Sequence, residues 1–320
     1  MMINKKIIFR CLRFYKNLLF GNVLKINLAV TDMCNMKCKV CYIWKKPKND
    51  LSLNDFRAIF RKFKGLNWIS FTGGEPFLRD DLVDIIDIAM KECSNLHTIS
   101  IPTNGFFTKK IMKDVKRVLK SDIPSLYVSI SLDGLENVHD SVRGVKGSFK
   151  KAVNTFELLK NLGDRRLKVH FEYTISRFNE GRLPETVKAL GKPEDFIISI
   201  AQNSFYYANE GEKVKPSKKS LHSDIEWFLS NHKGRSIHDF ATRMFLKSIL
   251  EGKKIPCVAG KNSFYIDTKG EIHPCIFINK RLGKVNEDIR EFNYPGCRCY
   301  TPCESYLSLL LNAPKMVLSR

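Results

Sequence analysis

Long apolar runs are missing from this sequence. No window approaches the roughly eighteen uninterrupted apolar residues that a membrane-spanning helix needs. An export signal is missing too: the opening MMINKKIIFRCLRFYKNLLF starts like one, but Arg10, Arg13 and Lys16 break the apolar stretch that export requires. A cytoplasmic chain is therefore expected. Acidic residues are scarce, with 33 Asp and Glu against 54 Lys and Arg, a net charge of +21. Such a surface attracts nucleic acid, anionic lipid or acidic substrates, and a lysine-rich genome produces it as well. The seven histidines show no metal-ligand spacing.

The shortage of acids is complete at the start, where residues 1–26 hold six Lys or Arg and no Asp or Glu. At helical spacing Lys6, Arg10 and Arg13 share one face, while Ile8, Cys11, Leu12, Tyr15 and Leu19 share the other. That profile fits an interfacial helix over 1–22 touching an anionic membrane peripherally. A helix packed on the bottom of the fold has the same profile.

What is present is a globular composition, 43% hydrophobic and 27% charged, long enough at 320 residues to bury a sizeable core. Six β-rich runs recur: LKINLAVT (24–31), NWISFT (67–72), HTISIPT (97–103), LYVSISL (126–132), KVHFEYTIS (168–176) and FIISIA (196–201). Helix-length segments separate them, one opening with Ser52 three residues before Asp55 in a capping-box pattern. This alternation predicts an α/β fold, a partial (β/α)6 TIM-type barrel over 23–205. A helical connector over 206–253 with helices near 217–231 and 236–251, then a small cysteine-rich domain over 254–320, complete the expected plan. In parallel barrels the loops after the strands gather at one face, where active sites form. CNMKCKVC, GGEP (73–76), NG (104–105) and DG (133–134) each follow one of the first four runs, so all four are expected at one pocket.

Ten cysteines fall into a trio, Cys34, Cys38 and Cys41, a group of five after residue 256, and two lone side chains, Cys11 and Cys93. In a reducing compartment such clusters bind metal more often than they cross-link, and the lone pair reads as ordinary packing. A closed structural zinc site needs four ligands, yet C-x3-C-x2-C offers three and no His or Cys follows within fifty residues. Three thiolates can hold an iron–sulfur cluster by three irons and leave the fourth open. Lys37 and Lys39 are expected to help keep the thiols deprotonated.

C-x3-C-x2-C after the first strand, followed by GGEP after the second, resembles the radical S-adenosylmethionine (SAM) superfamily. The resemblance implies a 4Fe-4S cluster on Cys34, Cys38 and Cys41 whose open iron chelates SAM. An electron from the cluster then breaks the sulfonium C–S bond, and a 5'-deoxyadenosyl radical takes hydrogen from the substrate. It implies SAM contacts from Gly73, Gly74 and Glu75, from Asn104, from Ser131 and Asp133, and from Arg143 as a partner for a carboxylate. Turn residues or surface ion pairs are the plainer reading of the last four. Gln202 could face the adenosine or serve as a core-edge amide. Many relatives carry an aromatic residue just before the last cysteine, and here Val40 stands there, which leaves adenine stacking unassigned.

The second group, Cys257, Cys275, Cys297, Cys299 and Cys303, resembles the family's auxiliary-cluster extension (SPASM/twitch-like) in a shorter single-cluster form. SFYID and EIHPCIF joined by a TKG turn predict a hairpin that brings Cys257 and Cys275 together. With them Cys299 and Cys303, or Cys297 as a substitute, would ligate one second 4Fe-4S cluster; a zinc knuckle suits the same spacings. The expected partners are SAM, a reductant such as flavodoxin or ferredoxin, and a substrate that is a peptide, sugar or lipid-linked group, or cofactor precursor. The competing reading is a zinc-binding, RNA-binding or RNA-modifying protein, for which SFYYANEGEKVK offers one weak stacking surface. That thin support argues against nucleic acid as a partner.

Overall fold

The structure, a computed structural model, describes residues 23–234, 236–255, 257–290, 292, 302 and 305–309. The expected helix over 1–22, and Cys297, Cys299 and Cys303, lie outside them.

Strands β1 (Lys25–Thr31), β2 (Trp68–Gly73), β3 (Thr98–Thr103), β4 (Ser125–Leu132), β5 (Leu167–Ile175) and β6 (Phe196–Ile200) pair in parallel in chain order. Each lies within one residue of the run expected from the sequence. Helices α1 (Leu53–Lys62), α2 (Leu82–Glu92), α3 (Thr108–Val118), α4 (Glu136–Arg143), α5 (Ser148–Lys160) and α6 (Leu183–Leu190) fill the crossovers. This is the partial (β/α)6 barrel. Helix α1 begins at the expected capping box, where Ser52 N donates to Asp55 Oδ2 at 2.9 Å and Asp55 N donates to Ser52 Oγ at 3.3 Å. Two otherwise orphaned backbone donors are satisfied there. Phe56, Ile59 and Phe60 form its buried face, with Phe60 edge-on to Phe71 of β2 at 6.4 Å.

Period-two alternation decides which side of the sheet is packed. Along β4, Leu126, Val128, Ile130 and Leu132 are fully buried, while Tyr127, Ser129 and Ser131 between them are half-buried. Strand β3 repeats the pattern with Ile99 and Ile101 against Thr98, Ser100 and Pro102. The aliphatic rows meet the helices, and the Ser, Thr and Tyr rows line an interior cavity of about 590 Å³. Closed barrels of this class instead fill their interior with layers of branched side chains. Here the interior is left open, with Ser, Thr and Tyr side chains set among apolar ones, and a ligand can occupy it.

Beyond β6 run α7 (Lys218–Asn231) and α8 (Ile237–Leu250), then β7 (Ser263–Ile266), β8 (Glu271–His273) and β9 (Gly283–Lys284). The expected hairpin is present, with β7 antiparallel to β8 through Tyr265↔His273 and Ile266↔Ile272. Its turn is closed by Asp267, whose Oδ1 accepts from Lys269 N and Glu271 N at 2.9 and 2.8 Å. One feature was not foreseen: β7 pairs in parallel with β1, so the sheet runs on to nine strands in the order β6-β5-β4-β3-β2-β1-β7-β8-β9. No helix among the described residues is long and apolar enough to cross a membrane.

Candidate active site

The cysteine loop leaves β1 at Thr31 and is held from two sides. Against α4, Lys37 N donates to Arg143 O at 3.0 Å and Lys39 N to Val142 O at 2.8 Å. On the far side, Tyr42 N donates to Tyr207 O at 2.7 Å. Cys34, Cys38 and Cys41 all open on the interior cavity. Burial pushes the Cys34 and Cys41 thiols up to about 12 and the Cys38 thiol upward as well. Each also responds to the charge of another in the trio or of Arg143. Three thiols on one cavity that resist ionisation in bare protein suit a metal centre, whose charge deprotonates them outright.

The cation serving this site is not the one expected. Lys39 Nζ is turned to Ser141 Oγ at 2.8 Å, and the Lys37 and Lys39 side chains are both exposed. Arg143 takes that place, with Nη1 3.8 Å from Cys38 Sγ and Nε 2.5 Å from Asp133 Oδ2. The two lysines flank Cys38, which is buried, while they are exposed. Arg143 thus has a carboxylate partner within the protein, and its Nη2 has no partner among the described residues. Asp133 does not line the cavity but stands fully buried behind Arg143. Burial pushes its carboxyl up and the guanidinium pulls it down.

Gly73 and Gly74 run against the start of the cysteine loop. Gly74 N donates to Thr31 O and Glu75 N to Met33 O, both at 2.8 Å. At Gly73, where φ is +125°, a Cβ would stand 2.1 Å from Thr31 O, and at Gly74 one would stand 2.1 Å from Met33 O. Only glycine permits this approach. The carboxylate of Glu75 is buried and committed to the protein: Oε1 accepts from Thr103 Oγ1 at 2.7 Å and Phe77 N at 3.2 Å, and Oε2 accepts from Asn104 N at 2.7 Å. Burial raises its pKa to about 7 against the pull of these donors. Glu75 therefore welds the β2 loop to the β3 loop at the edge of the cavity it lines. Asn104 extends the weld, donating Nδ2 to Asn35 Oδ1 at 2.8 Å. Ser131, on β4, lines the cavity directly.

Sequence reasoning missed the loop after β6. Tyr206 is 5% exposed, and its hydroxyl donates to Gly73 O at 2.9 Å, accepts from Gly73 N at 3.2 Å and lies 2.8 Å from Thr72 Oγ1. Asn209 is buried and donates Nδ2 to Val40 O at 2.8 Å and Gln202 O at 3.1 Å. The stretch considered as an RNA-stacking surface thus turns Tyr206 inward, where it holds the glycine loop and the cysteine loop in one frame. Gln202 faces the cavity, and its Nε2 is buried with no partner among the described residues. An orphaned donor in a ligand-sized cavity marks a place where a bound molecule supplies the acceptor.

The structure brings Cys34, Cys38, Cys41, Gly73, Gly74, Glu75, Asn104, Ser131 and Arg143 to one cavity. Cys257 and Cys275 do not line it; Cys257 is half-buried ahead of β7 and Cys275 is buried just beyond β8.

Comparison with known proteins agrees with this geometry. The chain is 26% identical over 291 residues to the sporulation killing factor maturation protein SkfB of Bacillus subtilis, covering 87% of this chain and 66% of that one. It is 31% identical over 198 residues to Fe-coproporphyrin III synthase of Methanosarcina barkeri, covering 60% and 46% respectively. The chain thus spans about half to two thirds of the length of these two relatives. Among solved structures it resembles native anSMEcpe with bound AdoMet, at TM-score 0.62 and 16% identity over 92% of this chain and 98% of that one. SuiB of Streptococcus suis bound to S-adenosylmethionine gives 0.60 and 17%, over 84% and 64%. These two likenesses show a shared fold. Residues 28–190, just over half of the sequence, match the Radical SAM superfamily, and the chain belongs to that superfamily.

Proposed function

We propose that this protein cleaves S-adenosylmethionine reductively at a 4Fe-4S cluster on Cys34, Cys38 and Cys41 and abstracts hydrogen from a substrate held in the barrel. The observation that carries the reading is the opening of the three thiols, the Gly73-Gly74 backbone and Arg143 onto one cavity. When bound, the cluster supplies the electron that breaks a C–S bond of SAM to give the 5'-deoxyadenosyl radical.

The protein's own groups bind and position. Arg143, fixed by Asp133, favours the thiolate form of Cys38 and keeps Nη2 for a ligand carboxylate. Gly73 and Gly74 let ligand and backbone meet closely, and Gln202 Nε2 offers a donor. A small one-electron carrier such as flavodoxin or ferredoxin is the reductant this chemistry calls for. The zinc and RNA alternative finds no support in the comparisons.

A second 4Fe-4S cluster is proposed on Cys257, Cys275, Cys299 and Cys303, with Cys297 as the substitute ligand. The similarity to SkfB supports it, because 87% of the chain cannot be covered without entering the segment after residue 254. Iron analysis of anaerobically reconstituted protein tests both assignments. Wild type is expected to hold about eight irons, and Cys34/Cys38/Cys41→Ala and Cys257/Cys275→Ala about four each. Unchanged iron in the second variant, or zinc in its place, would overturn the auxiliary assignment.

A further inference from the structure

Among the described residues four formally charged side chains line the cavity: Lys25, Glu75, Arg143 and Glu172. Glu75 and Arg143 belong to the site already described, and Lys25 lies with Nζ 4.4 Å above the Trp68 ring. Glu172, on β5, has no role so far. Its Oε2 accepts from Ser129 Oγ of β4 at 2.8 Å, and its Oε1 accepts from Ser199 Oγ of β6 at 3.0 Å. One hydroxyl from each flanking strand thus fixes the carboxylate in the barrel interior, and no cation pairs with it among the described residues. A carboxylate offers about four acceptor sites, so two remain for the cavity.

The described titratable groups on this wall are two imidazoles and two phenols. Burial pushes His170 down to about 4 and His238 downward too, so both imidazoles on this wall are neutral near pH 7. Burial raises the Tyr127 and Tyr306 phenols, which stay protonated. Glu172 is half-buried on the cavity face, where a ligand cation can reach its free acceptor positions.

We infer that Glu172 is a substrate-recognition residue that pairs a protonated amine of the substrate inside the barrel, between the Ser129 and Ser199 hydroxyls. The inference rests on the reading of this cavity as the reaction chamber. The net charge of +21 repels cations at long range, but that field is screened beyond about 8 Å at physiological salt. The amine is therefore expected as one group on a larger molecule rather than as a free polycation.

Equilibrium dialysis of radiolabelled n-butylammonium against the full chain, clusters reconstituted, tests this, with 1-butanol and butyrate as competitors of similar size. Saturable binding that neither competitor displaces is expected. Glu172→Gln, which keeps the shape and removes the charge, is expected to weaken it by about tenfold or more. Displacement by 1-butanol as effective as by unlabelled butylammonium, absence of saturable binding, or a Glu172→Gln affinity within about twofold of wild type would overturn the inference. The three-probe comparison on wild type stands even if the variant misfolds. Formation of 5'-deoxyadenosine by the same wild-type preparation reports separately on the radical SAM reading.

Discussion

At the scale of single residues, the site depends on side chains that touch other protein groups as much as on those that would touch a ligand. Tyr206 is the clearest case, since one hydroxyl holds both the N–H and the C=O of Gly73. Tyr206→Phe keeps the ring and removes those bonds, leaving buried polar groups without partners at a cost of about 1–3 kcal/mol. Iron content is expected to stay at the wild-type value while KM for SAM rises several-fold, about fivefold for each 1 kcal/mol. Equal loss of iron and of SAM affinity would mean that the tyrosine supports the cluster loop rather than the glycine loop. None of this was legible beforehand. Cys34, Cys38, Cys41, Gly73 and Gly74 announce themselves because metal ligation and close backbone approach restrict residue type and spacing. Tyr206 and Asn209 act through contacts more than 130 residues away in the chain, and local pattern carries no trace of those. Glu172 does leave a trace, a charge on the inner row of a strand, and it takes the structure to show that the row is unpacked.

At the scale of elements, the strands were readable to within a residue because parallel strands rich in Ile, Val and Phe are bounded sharply by Gly, Pro, Asn and Asp. The alternation of Ser and Thr with aliphatics in β3 and β4 also foretells a solvated inner face, since strands buried on both sides read as continuous apolar runs. Helix α1 shows how the outer face is secured. Phe60 is fully buried between α1 and β2. Phe60→Ala is expected to destabilise the fold by about 3–5 kcal/mol, measured as a fall in the urea midpoint with unchanged slope. A loss below about 1 kcal/mol would mean that α1 contributes little to the barrel. What the sequence pattern could not provide is the pairing of β7 with β1, because strand order in a sheet is set by long-range closure rather than by local periodicity.

At the scale of the whole molecule, that pairing matters more than any single contact. The hairpin carrying Cys275 is hydrogen-bonded through β7 to the strand whose end carries Cys34, and Thr268 Oγ1 donates to Asp32 Oδ2 at 2.5 Å beside the cysteine loop. The described part of the extension and the barrel therefore share one sheet, which fixes the β7–β8 hairpin against the strand that leads into the cysteine loop. The central claim is that the cavity of this barrel cleaves S-adenosylmethionine through the Cys34, Cys38 and Cys41 loop. It is tested most directly by quantifying 5'-deoxyadenosine formed from SAM and dithionite under anaerobic conditions. Wild type is expected to form it and Cys34/Cys38/Cys41→Ala to form none above the protein-free control, whereas cleavage by the triple variant at the wild-type rate would contradict the account.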